Sequence, residues 1–194
     1  MSGEPTKRAA EDGQIYEALL RISQVIQEID RASDLAGVVQ VFYDQLRMLG
    51  LDFFALTLRR LLDEDRRLFR VHQVKPNGDY QVKVGVQEGI FIEWKAGEVI
   101  YRPDLENDST VRATTGYLDR LQKGIGAPIR SLLHVPYAEG MITLRSTSVD
   151  PFTEVDINLV RRVSEMLALG LRRVQDMEEL ATARDQAEAA SRAK

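Results

Sequence analysis

The sequence predicts an α+β fold in which an antiparallel sheet carries helices on one face and is flanked by long N-terminal and C-terminal helices. Apolar residues recur at helical spacing near both ends of the chain, whereas alternation with period two dominates between them. A chain of 194 residues, 44% hydrophobic and 29% charged, suits one globular domain with helical extensions. We predict a disordered tail over residues 1–14, a globular domain over 15–175 and a helical coiled-coil linker over 176–194.

The first helix is predicted to be long and amphipathic. Its apolar residues follow alternating spacings of four and three, which is typical of a helix that packs on another helix. These residues are Ile15, Leu19, Ile22, Ile26 and Ile29. A second helix, from Leu35 to Leu49, has a broader apolar stripe that indicates packing on a sheet.

Two hairpins and a preceding strand account for most of the predicted sheet. The segments 68–75 and 80–86 alternate with period two around the turn signal PNGD, and the segments SLLHVPY and MITLRS are separated by the short turn AEG. An earlier strand passes through Phe54 and Leu58 and is apolar on both sides. The arginine pair that follows it, Arg59-Arg60, is predicted to lie on a solvated face.

The stretch between the hairpins is less regular. Residues 88–130 contain the glycine-bounded segment GIFIEWKAG, a short strand EVIYR, a polar loop and a short helix near residues 116–121. Long connections in a compact domain are usually binding regions or disordered segments. This stretch is therefore where we expect a site.

The last helix has a marked start and no marked end. Thr153 as N-cap with Asp156 three residues later is similar to a capping box. If residues 153–194 are all helical, they extend about 60 Å at about 1.5 Å per residue, which exceeds the width of a small domain. The helix must therefore project. The apolar spacing of three and four continues along it at Val163, Leu167, Gly170, Val174 and Met177.

We expect two copies of the chain to pair through the first and last helices. A projecting helix with a thin apolar stripe is unstable alone in water, so a homodimeric helical bundle is the predicted arrangement. The alternative is that both helices pack only on their own sheet.

Composition excludes several classes of function. The 26 basic and 30 acidic residues give a net charge of −4, so the chain has no electrostatic footprint for nucleic acid or an anionic membrane. It has neither a membrane-spanning apolar run nor the apolar region of a signal peptide, and we expect it to be cytoplasmic. The absence of cysteine excludes disulfides, cysteine nucleophiles and thioether-linked chromophores.

Two stretches resemble GAF domains. The segment SLLHVPYAEGMITLRSTSVDPFTEVDINLV places Pro136, Gly140, Phe152 and Asp156, among others, on positions that recur in the C-terminal half of that family. The segment EGIFIEWKAGEVIYRPD resembles the middle of the family and departs from it at Val99, where proline is common. The resemblance covers about residues 15–180. It implies a non-catalytic sensory domain that responds to a small molecule or a partner.

The C-terminal segment ARDQAEAASRAK resembles the linker that enters the dimerisation and phosphoacceptor helices of sensor histidine kinases. This resemblance implies that the chain is the sensory module of a two-component signalling protein, whose C-terminal output domain is a histidine kinase. GAF-type methionine sulfoxide reductases and covalent bilin photoreceptors both use cysteines. The chain has none, which removes both functions.

The GAF resemblance also implies a ligand pocket at the irregular connection. Aromatic walls with a few polar groups suit a small molecule. The candidate pocket residues are Trp94, Tyr101, Arg102, Asp104, Tyr117 and His134. Alternatively Trp94 and Tyr101 only cover the sheet and Asp104 opens a turn. The chain would then be a ligand-free dimerisation or spacer module.

The two histidines suggest no metal site. Neither His72 nor His134 has a second ligand at helix or hairpin spacing, so no zinc site is predicted. A single histidine holds a haem in some sensors, which leaves two interpretations of His134: an axial haem ligand or a hydrogen-bonded strand residue. His72 is predicted to lie at the surface. No catalytic residue is predicted, because no phosphate-binding glycine loop or nucleophile motif occurs, and the cofactor is left open.

Overall fold

The fold is an antiparallel sheet with helices on both of its faces. The computed structural model describes residues 4–31, 35–113, 116, 118, 122, 123 and 125–192. In chain order the elements are α1 (Glu4–Gln27), α2 (Ala36–Met48), β1 (Ala55–Asp63), β2 (Leu68–Val74), β3 (Tyr80–Val86), α3 (Glu88–Ala96), β4 (Ile100–Arg102), α4 (Ser109–Ala113), β5 (Ser131–Tyr137), β6 (Gly140–Ser146) and α5 (Glu154–Arg192).

Within the described residues the sheet has six strands in the order β3-β2-β1-β6-β5-β4, and all neighbouring strands are antiparallel. The two predicted hairpins are confirmed, with Val74 opposite Tyr80 in one and Tyr137 opposite Gly140 in the other. β1 joins them, because it pairs with β2 on one side and with β6 on the other. The α+β class predicted from the sequence is therefore confirmed.

One face of the sheet, the helix face, is covered by α1, α2 and α5. α2 packs on β1 and β2, α5 packs on β5 and β6, and α1 packs on α2 and α5. The side chains buried between these layers include Leu56, Leu58, Leu133, Leu144 and Leu167. Because each fully buried leucine contributes about 1.5–3 kcal/mol, this layer is the main source of stability.

The opposite face is covered by α3, α4 and the loops around them. A smaller apolar cluster lies there and includes Leu105, Val111, Ile129 and Leu132. α3 is a regular helix where the sequence predicts an irregular segment. It ends at Gly97, whose φ of 72° lies in the left-handed region and whose N–H donates to the carbonyl of Trp94. The predicted helix near residues 116–121 lies largely outside the described residues.

The heptad residues of α1 and α5 pack against one another within the chain. Gly170 lies so close to Ile26 that an added Cβ would be 2.1 Å from the Ile26 Cγ2 atom. The buried members of the pattern are Leu19, Ile22, Ile26, Ile29, Val163, Leu167 and Val174, and Ile15 is half-buried beside them. The sequence predicts these residues as a dimer surface, but they are not available for one, because their own chain covers them. Met177 is the exception and is exposed.

The first helix begins earlier than the sequence predicts, whereas the start of the last helix agrees with the prediction. α1 begins at Glu4, so residues 4–14, which the sequence predicts as disordered, are helical. Their glutamate, lysine, arginine and alanine content favours a helix. The capping box of α5 is confirmed, since the N–H of Thr153 donates to Asp156 Oδ2 at 2.8 Å and the N–H of Asp156 donates to Thr153 Oγ1 at 3.3 Å.

α5 projects from the domain. Its 39 residues extend about 58 Å at about 1.5 Å per residue. Among the helix residues whose burial is described, Val174 is the last buried one, and every residue from Asp176 to Glu188 is exposed. Among the described helices, none combines the length and the apolar character that crossing a bilayer requires.

Candidate functional site

A cavity of about 250 Å³ lies between α3 and the sheet face opposite the helix face. Side chains at alternate positions of a strand point to opposite faces, and residues directly opposite on antiparallel strands share a face. Leu58 and Ile142 pair on the helix face, so Arg59 and its partner Met141 belong to the cavity face. The cavity is lined by Arg59, Gln87, Glu88, Gly89, Ile90, Glu93, His134 and Arg145.

Two buried arginines and a pair of threonines form the floor of the cavity. Thr57 on β1 is directly opposite Thr143 on β6. The Nη1 atom of Arg59 donates to Thr143 Oγ1 at 2.6 Å, and the Nη1 atom of Arg145 donates to Thr57 Oγ1 at 2.7 Å. Each arginine therefore reaches across to the opposite strand, and both guanidinium groups meet the same row of the sheet.

The burial of these arginines is unusual. Arg59 is 5% exposed and Arg145 is 4% exposed, and arginine is almost never buried to this extent unless it has partners, as both residues do here. Arginine keeps its charge in proteins, so both guanidinium groups are charged. The sequence prediction that Arg59 lies on a solvated face is wrong. The alternation of Thr57 and Arg59 with leucines along β1 indicates that Thr57 and Arg59 face the same side of the sheet, but it does not indicate that this side is buried.

His134 lies beside the arginines and forms a polar link to α3. It is 2% exposed, and its Nδ1 atom is 2.7 Å from Glu93 Oε2. The carboxylate only accepts, so Nδ1 carries the proton and donates. Burial lowers the pKa of His134 to about 4, against the opposing effect of Glu93, and Arg59 and Arg145 lower it further. His134 is therefore neutral at pH 7 and adds no charge to the cavity.

Glu93 is held in its charged form from two sides. Burial acts to raise its pKa, but His134 and Arg102 together keep that pKa below the ordinary value. The guanidinium group of Arg102 lies 3.6 Å from Glu93 Oε1 and also donates to Asp108 Oδ2 at 2.8 Å. Arg102 thus supports the cavity wall through Glu93.

Trp94 connects α3 to the hairpin of β5 and β6. Its Nε1 atom donates to the backbone carbonyl of Tyr137 at 2.9 Å. The hydroxyl of Tyr137 in turn donates to the backbone carbonyl of Arg59 at 2.8 Å, inside the core. The aromatic ring of Tyr137 belongs to the core cluster that also contains the buried face of α5. A chain of contacts therefore joins α3, the arginine-bearing strand and α5.

The remaining predicted pocket residues are not brought to the cavity. Tyr101 pairs with Leu133 on the helix face, where its hydroxyl donates to Asp150 Oδ1 and accepts from the N–H of Phe152. Burial is the main reason that the pKa of Tyr101 rises to about 12.

Asp104 stabilises a loop. It accepts hydrogen bonds from the side chains of Asn107 and Arg130, which lower its pKa. Its position fits the alternative interpretation of a turn-forming residue. Tyr117 lies outside the described residues.

The cavity is smaller than a haem pocket, and its described lining has no cluster of metal ligands. No group of three or more histidine, aspartate or glutamate side chains within the described part of the chain is arranged to hold a metal ion. A volume of about 250 Å³ is below the range of about 300–1,000 Å³ typical of pockets for drug-sized ligands, and a haem is larger than such ligands.

His72, which the sequence predicts to lie at the surface, is buried on the helix face, and its Nδ1 atom lies 2.6 Å from the hydroxyl of Tyr80.

Several solved structures have a fold similar to that of this chain. No family model and no curated protein sequence matches the chain. The structure is similar to the GAF domain of a phosphoenolpyruvate-protein phosphotransferase from Coxiella burnetii, with a TM-score of 0.61, 13% identity and coverage of 86% of this chain and 97% of that chain.

Two further solved structures are similar. The GAF domain of a two-component sensor histidine kinase from Bacillus halodurans has a TM-score of 0.56 and 14% identity, covering 75% of this chain and 98% of that chain. Free methionine-R-sulfoxide reductase from Neisseria meningitidis has a TM-score of 0.58 and 14% identity, covering 84% of this chain and 91% of that chain. At these identities the similarity concerns the fold, and the chain has the fold of a GAF domain.

Proposed function

We propose that this chain is a sensory domain, in which a small molecule bound in the cavity changes the packing of α5 and thereby signals to an output domain. The observation that carries the proposal is the continuous contact from the cavity to α5. Trp94 of α3 bonds to Tyr137, Tyr137 bonds to the backbone of Arg59, and the ring of Tyr137 packs in the core beneath α5. A ligand that contacts α3 and Arg59 therefore acts on groups already joined to the exit helix.

The relay requires two arrangements of α5 that the ligand favours unequally, because a ligand shifts an equilibrium only by its difference in affinity for the two states. The contact of Gly170 with Ile26 is a place where small shifts are felt, since an added Cβ would lie 2.1 Å from Ile26 Cγ2. Close packing makes such interfaces change between discrete arrangements. We therefore expect α5 to slide or rotate against α1 at this contact.

A second copy of the chain is the partner we propose for the projecting part of α5. The helix from Asp176 to Glu188 is exposed and gains little packing energy from its own domain, and isolated helices of this length are marginal in water. An outer stripe of exposed apolar residues runs along α5. It consists of Leu169, Met177 and Leu180, and Tyr16 and Leu20 are exposed apolar residues on α1. Pairing of this stripe between two copies gives a helical bundle in which Met177 is the one predicted heptad residue that takes part.

The output domain we propose is a histidine kinase. The C-terminal segment ARDQAEAASRAK resembles the linker that enters such kinases, and one similar structure is the GAF domain of a two-component sensor histidine kinase. A ligand-free dimerisation and spacer module is the second candidate. It is favoured by the same projecting helix, because that helix needs a partner whether or not the cavity is filled.

Native mass spectrometry of the purified chain tests the proposal. We expect a dimer, with added mass when a ligand is retained. Leu180→Glu places a charge in the outer stripe and should give a monomer, because Leu180 is 72% exposed in the single chain and would be covered only by a partner. Val155→Glu is the matched control at the exposed start of the same helix and should remain dimeric.

A monomer for the unmodified chain would contradict the bundle and the relay built on it. A dimer that binds no small molecule would contradict sensing and leave the spacer function.

A further inference from the structure

We propose that Glu139, in the turn between β5 and β6, holds α5 through one of two alternative partners on that helix, which are Gln175 in the present structure and Arg172 after a shift of α5. The inference rests on the proposed function for its premise that α5 has two arrangements. It adds the contact that distinguishes them, close to the point where α5 leaves the domain.

The turn between β5 and β6 lies between the cavity wall and the exit helix. On the cavity side, Trp94 Nε1 donates to the backbone carbonyl of Tyr137 at 2.9 Å. Two residues later, the backbone carbonyl of Glu139 accepts from the N–H of Leu61 at 2.7 Å. The turn is therefore joined to α3 and to β1, and a displacement of either element acts on it directly.

The side chain of Glu139 is bound by Gln175 of α5. The Gln175 amide fits its neighbours with its nitrogen toward the carboxylate and its oxygen toward a guanidinium group. In that orientation Nε2 donates to Glu139 Oε1 at 3.2 Å, and the amide oxygen accepts from Arg60 Nη2 at 3.2 Å. Gln175 thus links α5 to the turn and to β1, one residue after the buried Val174.

The other carboxylate oxygen of Glu139 is not satisfied in this arrangement. Oε2 is buried and accepts no hydrogen bond from the described part of the chain. Burial raises the pKa of Glu139, and the charges of Arg60 and Arg172 oppose that rise. A buried oxygen without a hydrogen bond is costly, so an arrangement that satisfies Oε2 competes with the present one.

Arg172 is the residue of α5 that suits this oxygen. It lies three residues before Gln175, and residues three apart share one side of a helix. Its side chain is exposed, so the guanidinium group is not committed to the core. An arginine–carboxylate pair is stronger than an amide–carboxylate hydrogen bond, because both groups are charged. Oε2 stays without a hydrogen bond while Gln175 is in place, so Arg172 reaches it only when α5 shifts.

Arg173 provides an axis for such a shift. Its Nη2 atom donates to the carbonyl of Gln27 at 2.9 Å and to that of Ile29 at 3.2 Å, at the end of α1. Successive residues of a helix are about 100° apart, so Arg173 and Gln175 lie on nearly opposite sides of α5. A rotation of α5 about its contact with α1 therefore changes which residue faces the turn.

A double-mutant cycle measured by urea unfolding of the full chain tests the exchange. Gln175→Ala removes the present contact, and Arg172→Met removes the alternative one while keeping an apolar side chain. If Arg172 replaces Gln175 at Glu139, the loss of Gln175 alone is partly compensated. The double variant should then raise the unfolding equilibrium constant about 3- to 10-fold beyond the product of the two single effects. All variants are compared at one protein concentration, because pairing of chains affects stability.

Two further variants locate the coupling. Arg162→Met is the matched control, because Arg162 is another exposed arginine of α5, and its effect should combine additively with that of Gln175→Ala. In a Glu139→Gln background the carboxylate is gone, and the coupling between Gln175 and Arg172 should disappear. A Gln175 and Arg172 double variant that does not fold, beside an Arg162 double variant that folds, is the extreme form of the expected coupling.

Additive effects of Gln175→Ala and Arg172→Met would overturn the inference, and so would coupling that persists in the Glu139→Gln background. A Gln175→Ala chain that does not fold would also overturn it, because Arg172 would then not replace Gln175. The proposed function fails separately. A monomer without a bound molecule in native mass spectrometry refutes sensing whatever the cycle gives, whereas a dimer that retains a small molecule preserves sensing even when the cycle is additive.

Discussion

Replacing Gly170 by alanine should destabilise the domain, although alanine is the better helix former. The substitution gains about 1 kcal/mol of helix propensity. It also places a Cβ 2.1 Å from Ile26 Cγ2, far inside the contact distance of about 3.5–4.0 Å between carbon atoms. Overpacking a close-packed contact costs about 1–3 kcal/mol. Because the overlap is large, we expect a net loss of about 1–2 kcal/mol, or about 2–8 °C in melting temperature.

The assay is thermal and urea unfolding of Gly170→Ala beside Gly13→Ala. Gly13 lies in α1 with no atom within 4 Å of an added Cβ, so the same exchange there should be neutral or stabilising. Ile26→Ala removes the clashing atom. In that background Gly170→Ala should become stabilising, because only the propensity gain remains. If Gly170→Ala stabilises the unmodified chain as much as Gly13→Ala does, the proposed close contact between α1 and α5 is refuted.

Three further perturbations have expected outcomes. Gly140→Ala puts a Cβ 1.8 Å from the Arg59 carbonyl oxygen and should cost at least about 3 kcal/mol, whereas Gly85→Ala, measured alongside it, should be tolerated. Tyr101→Phe loses the hydroxyl's two hydrogen bonds and should lower the free energy of unfolding by about 1 kcal/mol. Acidification should destabilise the domain by about 3 kcal/mol as pH falls from 6.5 to 4, because the unfolded state binds the His134 proton more readily. His134→Gln should flatten that pH dependence in denaturant titrations.

Local sequence patterns predict the secondary-structure elements that are determined by residues close together in the sequence. Both hairpins follow from period-two alternation around short turns, and the capping box of α5 follows from Thr153 and Asp156. The heptad spacing of α1 and α5 correctly indicated that each packs on a helix. The spacing does not specify whether the partner helix belongs to the same chain or to a second copy, because a seven-residue repeat has the same form within a chain and between two chains.

The candidate site depended on information that alternation alone does not contain. Arg59 looks like a surface residue until the register is known, because only the pairing of Thr57 with Thr143 brings it onto the same row as Arg145. Of the predicted pocket residues, His134 lines the cavity, and Trp94 and Arg102 support its wall through hydrogen bonds and an ion pair. These positions depend on contacts distant in sequence.

The central claim, that filling the cavity changes the packing of α5, is tested most directly by an interspin distance measurement across the dimer. The chain contains no cysteine, so Ala183→Cys in the exposed part of α5 gives one labelling site per copy. Distances are measured for the chain with the small molecule that native mass spectrometry identifies and for the chain freed of it. We expect the distance distribution to shift by at least about 1–2 Å, the scale of helix shifts at subunit interfaces. An unchanged distribution in a sample with the ligand bound would contradict it.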